Sequence, residues 1–336
     1  MTVEITKSVD RRDLPRPTKD LDRARADIER FGYCLLQDAV PEPLLGRVRA
    51  RTQAQADAEK QLDHAFEDGG ADQQWGAFRD ADGRIRADAF KARNGGVNQR
   101  VWMLANKGRV YHEVLEREPV LDLVGHILGD AFQLSAYNAN IARPGSVPMN
   151  LHTDQWWAPV PHRPDRRPLP IGSTNRTTFD RDPALAPTDV PAMIAPAACA
   201  QVIVMLNDFT ETNGGTRLVP GSHLWGRHPD PELDRDVETI AAEGPAGTAV
   251  IADGRIWHGT GANTGNTDRW GLLVTFCGPQ FRPQENYTVG LSEEMYEAAS
   301  DRVRALLGFG VWWAYGRTGD PTVEQISRRP ALGELG

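Results

Sequence analysis

The chain has 336 residues, of which 40% are hydrophobic and 25% are charged, the proportions of an ordinary globular protein rather than of a disordered chain or a coiled coil. A net charge of −8 argues against a nucleic acid partner, and no run of apolar residues approaches the roughly 20 that a membrane span requires. The first residues lack the apolar core of a secretory signal, and three widely separated cysteines exclude a disulfide framework, so we expect a cytoplasmic protein.

The first 130 residues are predicted to form a mainly helical flank, because apolar residues recur there at helical spacing. The predicted elements of this part, in chain order, are a helix from Asp20 to Gly32, a strand at 33–37 and helices at 41–62 and 117–128. Residues 63–100 are polar and show few periodic signals.

Residues 131–290 are predicted to form a β domain. Short apolar or β-branched runs alternate there with turn-forming Gly, Asn, Asp and Pro, a pattern typical of a sandwich, a barrel or a jelly roll. A proline-rich insertion at 158–198 interrupts this domain, and insertions of this length are usually functional or disordered. Residues 291–336 are predicted to form a helical cap with one helix over 291–310. With no convincing linker, we expect a single α+β domain over 1–336.

The segment His152-Thr153-Asp154 carries the first chemical signal. Side chains of a strand alternate between its faces, so His152 and Asp154 point the same way. An imidazole and a carboxylate side by side can bind one metal ion. A second histidine would complete the 2-His-1-carboxylate site of non-haem iron(II) oxygenases. By itself the tripeptide is better explained as a hydrogen-bonded pair that stabilises a β-turn.

A second segment offers the missing ligand. His258 ends a predicted strand, and a turn-rich stretch leads from it to Arg269 at the start of another. If the two strands form a hairpin or are close neighbours, the Arg269 guanidinium comes near His258 and can clamp a carboxylate with two parallel hydrogen bonds. Thr260 would face the same side and add a hydroxyl. The alternative for Arg269 is a surface ion pair with Asp268 or Glu285.

These features together resemble the phytanoyl-CoA dioxygenase family of iron(II)/2-oxoglutarate-dependent oxygenases. The matching segments are LHTDQ (151–155), LNDFTETNGGTRLVPGSH (206–223), WHGTGANTG (257–265) and Arg269. The resemblance implies a double-stranded β-helix core (a jelly-roll, cupin-like fold) flanked by helices. It implies that His152, Asp154 and His258 are the catalytic iron ligands. It also implies that Arg269 binds the far carboxylate of 2-oxoglutarate, with O2 as the other co-substrate. Halogenating relatives lack the ligand carboxylate, so Asp154 argues against halogenation and favours hydroxylation, desaturation or another oxidation.

The sequence departs from the family in the length of the 158–198 insertion, which exceeds that of a minimal member, and at one position near the ligands. Many relatives have a glutamine three residues before the first ligand histidine, and this chain has Met149 there. We therefore expect Asn150 or another nearby amide to contact the co-substrate, unless its inner carboxylate is held differently.

Two aromatic segments are candidates for the substrate site. Trp156 and Trp157 directly follow the ligand pair, and one of them should face the cavity by strand alternation. A polar and aromatic cluster before the β domain (Gln99, Arg100, Trp102) could line the substrate mouth. Ordinary packing or surface placement is the alternative for each of these residues.

The sequence thus predicts a dioxygenase that hydroxylates a C–H bond of a mid-sized organic molecule, such as a secondary metabolite, and releases succinate and CO2. No nucleic acid or membrane partner is expected, and the oligomeric state is not predicted. One alternative is a metal-dependent, cupin-like enzyme that does not use 2-oxoglutarate, for which Arg269 is dispensable. The other is a ligand-binding jelly roll without catalytic activity.

Overall fold

A computed structural model of the chain describes residues 11–73, 80–86, 88–155, 158 and 196–318. The predictions for Trp156, Trp157 and nearly all of the insertion therefore lie outside the described residues. The helices, in chain order, are α1 (Leu21–Phe31), α2 (Leu44–Gln61), α3 (Arg109–Leu115), α4 (Glu118–Leu128), α5 (Tyr287–Gly290), α6 (Glu293–Ala298) and α7 (Asp301–Arg304). Within the described part of the chain, none of them combines the length and apolar character needed to cross a bilayer.

Helix α1 shows how closely local sequence signals set the element bounds. The Asp20 side chain accepts hydrogen bonds from the backbone N–H groups of Asp22 and Arg23, which caps the helix at its start. Gly32 ends it in the left-handed conformation, at φ 82°. The helix predicted between these two residues is confirmed, and β1 begins directly after it.

Ten strands form two antiparallel sheets in the described residues. In chain order they are β1 (Tyr33–Leu36), β2 (Phe66–Asp68), β3 (Asn98–Val101), β4 (Gln133–Ala142), β5 (Cys199–Met205), β6 (Thr216–Leu218), β7 (Ile240–Ala241), β8 (Ala249–Asp253), β9 (His258–Thr260) and β10 (Arg269–Cys277). The large sheet has the order β1-β8-β5-β10-β4-β3-β2, and the small sheet has the order β7-β6-β9.

The two faces of the large sheet bury different partners. One face, with Val204 and Val274, packs against the helices in the larger hydrophobic cluster. The other face, with Ile203 and Met205, packs against Leu218 of the small sheet. Two facing antiparallel sheets with helices on one outer side are a jelly roll, so the predicted α+β fold is confirmed.

The structure corrects the sequence analysis at two places. Residues 63–100, for which no element was predicted, contribute the short strands β2 and β3. The single helix predicted over 291–310 is wrong: the chain forms several short helices there, because Ser292 and Ser300 each cap a new helix start with the side-chain oxygen. Gly308, at φ 88°, interrupts the last turn.

Helix α3 contains a histidine that makes stability depend on pH. His112 is 4% exposed, its Nε2 donates to Ala105 O at 2.8 Å, and burial lowers its pKa. An unfolded histidine titrates near 6.5, so below about this pH the unfolded chain takes up a proton that the native state refuses. We expect the free energy of unfolding to fall between pH 7.5 and 5.5, as measured by urea denaturation.

The matched variant is His112→Gln, since a glutamine amide can keep the donor to Ala105 O. Its unfolding free energy should depend less steeply on pH than that of the wild type. Equal slopes for the two proteins would rule out a contribution from His112.

Candidate metal centre

Two histidines from distant parts of the chain lie opposite each other. The backbone N–H of His152 donates to His258 O at 2.9 Å, and the His258 N–H returns the bond to His152 O at 3.0 Å. This bridge extends the edge of the small sheet at β9. The centroids of the two imidazole rings are therefore only 4.4 Å apart.

Each imidazole is oriented by a backbone carbonyl two residues earlier in the chain. His152 Nδ1 lies 3.0 Å from Asn150 O, and His258 Nδ1 lies 3.1 Å from Ile256 O. A carbonyl can only accept, so each Nδ1 carries the proton and each Nε2 presents a lone pair. Fixing the tautomer through the other ring nitrogen is how proteins prepare a histidine for a metal.

The carboxylate of Asp154 lies between the two Nε2 atoms. Its Oδ1 is 3.9 Å from His152 Nε2, and its Oδ2 is 3.6 Å from His258 Nε2. Asp154 Oδ2 is buried and has no hydrogen-bond partner in the described part of the chain, a costly state for a carboxylate oxygen unless a cation is bound. One ligand atom from each residue lies within 4.8 Å of the others. Two imidazole nitrogens and one carboxylate oxygen match the donor set of non-haem iron(II).

Gly254 holds the segment that carries Asp154. Its carbonyl accepts from the backbone N–H groups of Asp154 at 2.9 Å and Gln155 at 3.1 Å, and its own N–H donates to Cys199 O. A Cβ added at Gly254 would lie 2.1 Å from Cys199 Sγ and 2.7 Å from Cys199 O. Only glycine therefore fits between strand β5 and the ligand segment.

Gly254→Ala is accordingly expected to displace the Asp154 segment and to weaken metal binding by roughly tenfold or more, the effect of disturbing the residues behind a ligand. Equilibrium dialysis against iron(II) measures this. Gly125→Ala is the matched control, because its Cβ would meet its nearest neighbour, Phe132, at an ordinary 3.8 Å. Unchanged iron affinity in Gly254→Ala would contradict the proposed packing constraint.

Arg269 is a buried cation with no acidic partner in the described ranges of the chain. It is 1% exposed, its Nε donates to Gly214 O at 3.2 Å, and its guanidinium carbon lies 4.9 Å from the centroid of the Phe209 ring. Its Nη2 is buried without a hydrogen-bond partner among the described residues. Burial, with a smaller effect of the Arg100 charge, lowers the pKa of Arg269 to about 9. A bound carboxylate would raise the pKa of Arg269 again, because a nearby opposite charge favours the charged form.

The alternative of a surface ion pair for Arg269 is excluded by this burial. Glu285, one of the two partners considered, accepts instead from the backbone N–H groups of Met103 at 2.8 Å and Tyr137 at 2.9 Å. The hairpin interpretation is also wrong, because β9 belongs to the small sheet and β10 to the large one.

Strand β4 connects Arg269 to the strand of His258. A Cβ on Gly271 would lie 3.1 Å from Arg269 Nη1, so the guanidinium occupies the space above this glycine. Asn140 is the cross-strand partner of Gly271, and its Nδ2 donates to Thr260 Oγ1 at 3.4 Å. Thr260 thus lies on the wall shared by Arg269 and the histidine strand. The sequence analysis did not identify Asn140 as a site residue. The available signal was a predicted strand with two asparagines, Asn138 and Asn140, on the same face.

The other predicted site residues are placed differently. Asn150 is exposed, and the contact it makes with the site is through its backbone carbonyl. Gln99 is fully buried on the helical face, where its Nε2 donates to Ala56 O at 2.9 Å, so the structure does not bring it to the metal centre. Arg100 is the cross-strand partner of Asn140 and lies on the inner face. Trp102 is 38% exposed.

Comparison with known proteins agrees with this geometry. Residues 28–271 match the family of phytanoyl-CoA dioxygenase (PhyH). The chain is 30% identical over 212 residues to the dioxygenase af480 of Aspergillus fumigatus, an alignment that covers 63% of this chain and 59% of the relative. It is 29% identical over 231 residues to the dioxygenase FrzG of Cladobotryum sp, covering 65% and 66%. The chain therefore spans less than two thirds of the length of these relatives.

A solved structure shows the same fold. HygX from Streptomyces hygroscopicus, crystallised with nickel, 2-oxoglutarate and hygromycin B, superposes with a TM-score of 0.53 at 12% identity, over 78% of this chain and 88% of that one. At this identity the likeness concerns the fold alone. The family match, however, extends over most of the chain and includes all three candidate metal ligands. The chain belongs to the phytanoyl-CoA dioxygenase family.

Proposed function

We propose that the protein is an iron(II)/2-oxoglutarate-dependent dioxygenase that hydroxylates a C–H bond of a mid-sized organic substrate. One observation carries the proposal: two oriented imidazoles and a carboxylate converge on one point, and the adjoining wall has a buried guanidinium for which the described residues provide no carboxylate. The first group suits a metal ion, and the second suits the far carboxylate of a dicarboxylic acid that binds this metal through its other end.

In this function His152, Asp154 and His258 hold the iron. When bound, iron(II) and 2-oxoglutarate supply the oxidising chemistry, in which O2 is consumed, succinate and CO2 are released and one oxygen atom enters the substrate. The carbonyls of Asn150 and Ile256 accept from Nδ1 of His152 and His258, which leaves the Nε2 atom of each ring to bind the metal. Protonation of the imidazoles would compete with the metal, so activity should fall in acid.

The co-substrate would be held by Arg269 and Thr260. The guanidinium can form two charge-assisted hydrogen bonds with a carboxylate, and the Thr260 hydroxyl adds a third polar contact. Asn140 orients this hydroxyl. Because Arg269 is buried against Phe209, the ion pair would form away from water, where it is strongest.

The names of related proteins support a natural-product substrate. HygX was solved with hygromycin B, and the α-ketoglutarate-dependent carbocyclase SnoK, from nogalamycin biosynthesis, has a TM-score of 0.53 with this chain at 16% identity, over 81% of this chain and 91% of that one. We infer that a secondary metabolite or a molecule of similar size is oxidised here, with the whole chain as one catalytic unit.

We also propose a cytoplasmic location. All three cysteines are free thiols, including Cys199 and Cys277, which are direct cross-strand partners. Unlinked neighbouring thiols are typical of a reducing compartment. Fractionation of cells that produce the tagged protein would test this assignment, and recovery outside the cytoplasm would contradict it.

The test of the function is succinate formation. Protein loaded anaerobically with iron(II) should, on admission of O2, convert 2-oxoglutarate to succinate, and a library of organic metabolites should contain members that accelerate this conversion. The cupin-like alternative predicts metal binding with no succinate, and the ligand-binding alternative predicts no O2 uptake with any compound. Either of these results from folded, iron-loaded protein would contradict the proposal.

A further inference from the structure

A cavity of about 320 Å³ opens at the edge of the large sheet, between the C-terminal half of α2 and strands β2 and β3. Its wall combines apolar and charged side chains, among them Leu62, Phe66, Trp102, Glu59, Arg100 and Lys107. This volume is in the range of small-molecule binding sites.

The apolar wall of the cavity consists of aromatic rings that pack against one another. Phe66 stacks on Phe90 with ring centroids 4.4 Å apart, and Trp102 meets Phe66 edge-on at 5.8 Å. Trp102 is nevertheless 38% exposed. A fixed aromatic ring with an open face suits contact with an apolar ligand.

Among the described residues that line the cavity, Lys107 and Arg100 are each paired with a carboxylate, and they differ in the N–H donors that remain for a ligand. Lys107 and Glu59 form an ion pair and neutralise each other. Arg100 donates through Nε to Asp68 Oδ2 at 2.9 Å, and Asp68 is the one acceptor that its side chain contacts among the described residues. A guanidinium has five N–H donors, so most of those on Arg100 remain for a second acceptor. The acidic groups are engaged, which makes an anionic ligand group the better match.

Arg100 also links the cavity to the metal centre. It is the cross-strand partner of Asn140, and Asn140 contacts Thr260 in the strand that begins with His258. A single side chain therefore separates Arg100 from the wall of the proposed co-substrate site. A ligand held by Arg100 would therefore lie at the strand position next to Asn140, with Trp102 on the wall of the same cavity.

We propose that this cavity binds the substrate and that the substrate is an organic acid, whose carboxylate is held by Arg100 and whose ring-sized apolar body packs on Trp102 and Phe66. The role in turnover rests on the proposed function, whereas the binding preference does not. Recognition of an acid by a bidentate guanidinium is selective against the corresponding amide or amine.

Three probes with one ring system test this preference: 1-naphthoate, 1-naphthamide and 1-naphthylmethylammonium, titrated calorimetrically into the protein. Naphthoate should bind most tightly. The double variant Arg100→Gln/Asp68→Asn removes both charges together, which avoids leaving a buried Asp68 unpaired. It should weaken naphthoate binding by about tenfold or more and leave naphthamide binding unchanged. Trp102→Ala should weaken all three probes. Arg86→Gln, in the exposed pair with Asp88, is the control.

The inference is overturned if no probe binds the wild type, if the three bind equally well, or if the double variant leaves naphthoate affinity unchanged. Spectroscopy of the iron(II)/2-oxoglutarate complex separates these failures from a failure of the proposed function. Formation of that complex without selective naphthoate binding removes only the substrate assignment. Selective binding without the complex leaves the cavity assigned and removes the dioxygenase.

Discussion

Replacement of His258 by alanine should lower the affinity for iron(II) by more than about 100-fold, because even groups that only support a ligand change affinity 10- to 100-fold. His258 Nε2 is one of three ligand atoms that lie within 4.8 Å of one another. Without it, His152 and Asp154 offer two ligands from one short segment. Metal analysis after equilibrium dialysis measures the loss, and oxygen-dependent succinate formation should disappear with the metal.

His126→Ala is the matched control. This histidine lies on helix α4, exposed to solvent, with its Nε2 3.3 Å from Glu29 Oε1. Its replacement should leave the iron content unchanged. Full iron loading of a folded His258→Ala protein, or equal loss in His126→Ala, would contradict the assignment of the metal centre.

Arg269→Met should abolish the binding of 2-oxoglutarate without lowering the stability of the protein. The wild-type guanidinium is buried beside Phe209 and Gly214 with no acidic partner among the described residues, and burial of an unpaired charge has a desolvation cost that an apolar side chain does not have. The variant without 2-oxoglutarate should therefore unfold at a temperature equal to or above that of the wild type. Its affinity for 2-oxoglutarate should be lost, since the charged anchor of the far carboxylate is gone.

Thermal unfolding of the iron(II) proteins under anaerobic conditions measures both the stability of each protein and its stabilisation by 2-oxoglutarate. At about 100 times the dissociation constant, 2-oxoglutarate should stabilise the wild type by about 2.7 kcal/mol and leave Arg269→Met unchanged. Arg30→Met, from an exposed pair with Asp13, should respond like the wild type. A strongly destabilised Arg269→Met, or one that 2-oxoglutarate still stabilises fully, would show that Arg269 has a structural role instead.

The metal ligands could be predicted because their signals are local. Strand alternation predicted that His152 and Asp154 face the same way, although the structure has an isolated bridge at His152 and a bend at Asp154 instead of a strand. A turn-rich segment marked His258 and Arg269, and His258 begins strand β9 instead of ending a strand. The nearness of Arg269 to the site was inferred from a hairpin or a pair of neighbouring strands, and the structure places the two strands in different sheets. The space above Gly271 and the contact of Asn140 with Thr260 create it instead, and both depend on how two sheets face each other.

Non-local packing also explains the remaining differences. Gln99 and Arg100 are neighbours in the sequence, and strand alternation requires that they face opposite sides. Which of them faces inward follows from the register of β3 on β4, where Arg100 lies opposite Asn140. A three-residue strand such as β2 has too few residues for its alternation to be recognised.

If iron(II) and 2-oxoglutarate bind together at His152, Asp154 and His258, the anaerobic protein must show this in its visible absorption spectrum. Adding 2-oxoglutarate to the iron(II) protein should produce a metal-to-ligand charge-transfer band that saturates at one co-substrate per iron, is absent from His258→Ala and is lost in Arg269→Met at the same concentration. A folded, iron-loaded wild type without this band, or the same band in His258→Ala, would show that 2-oxoglutarate does not bind to an iron held by these three residues.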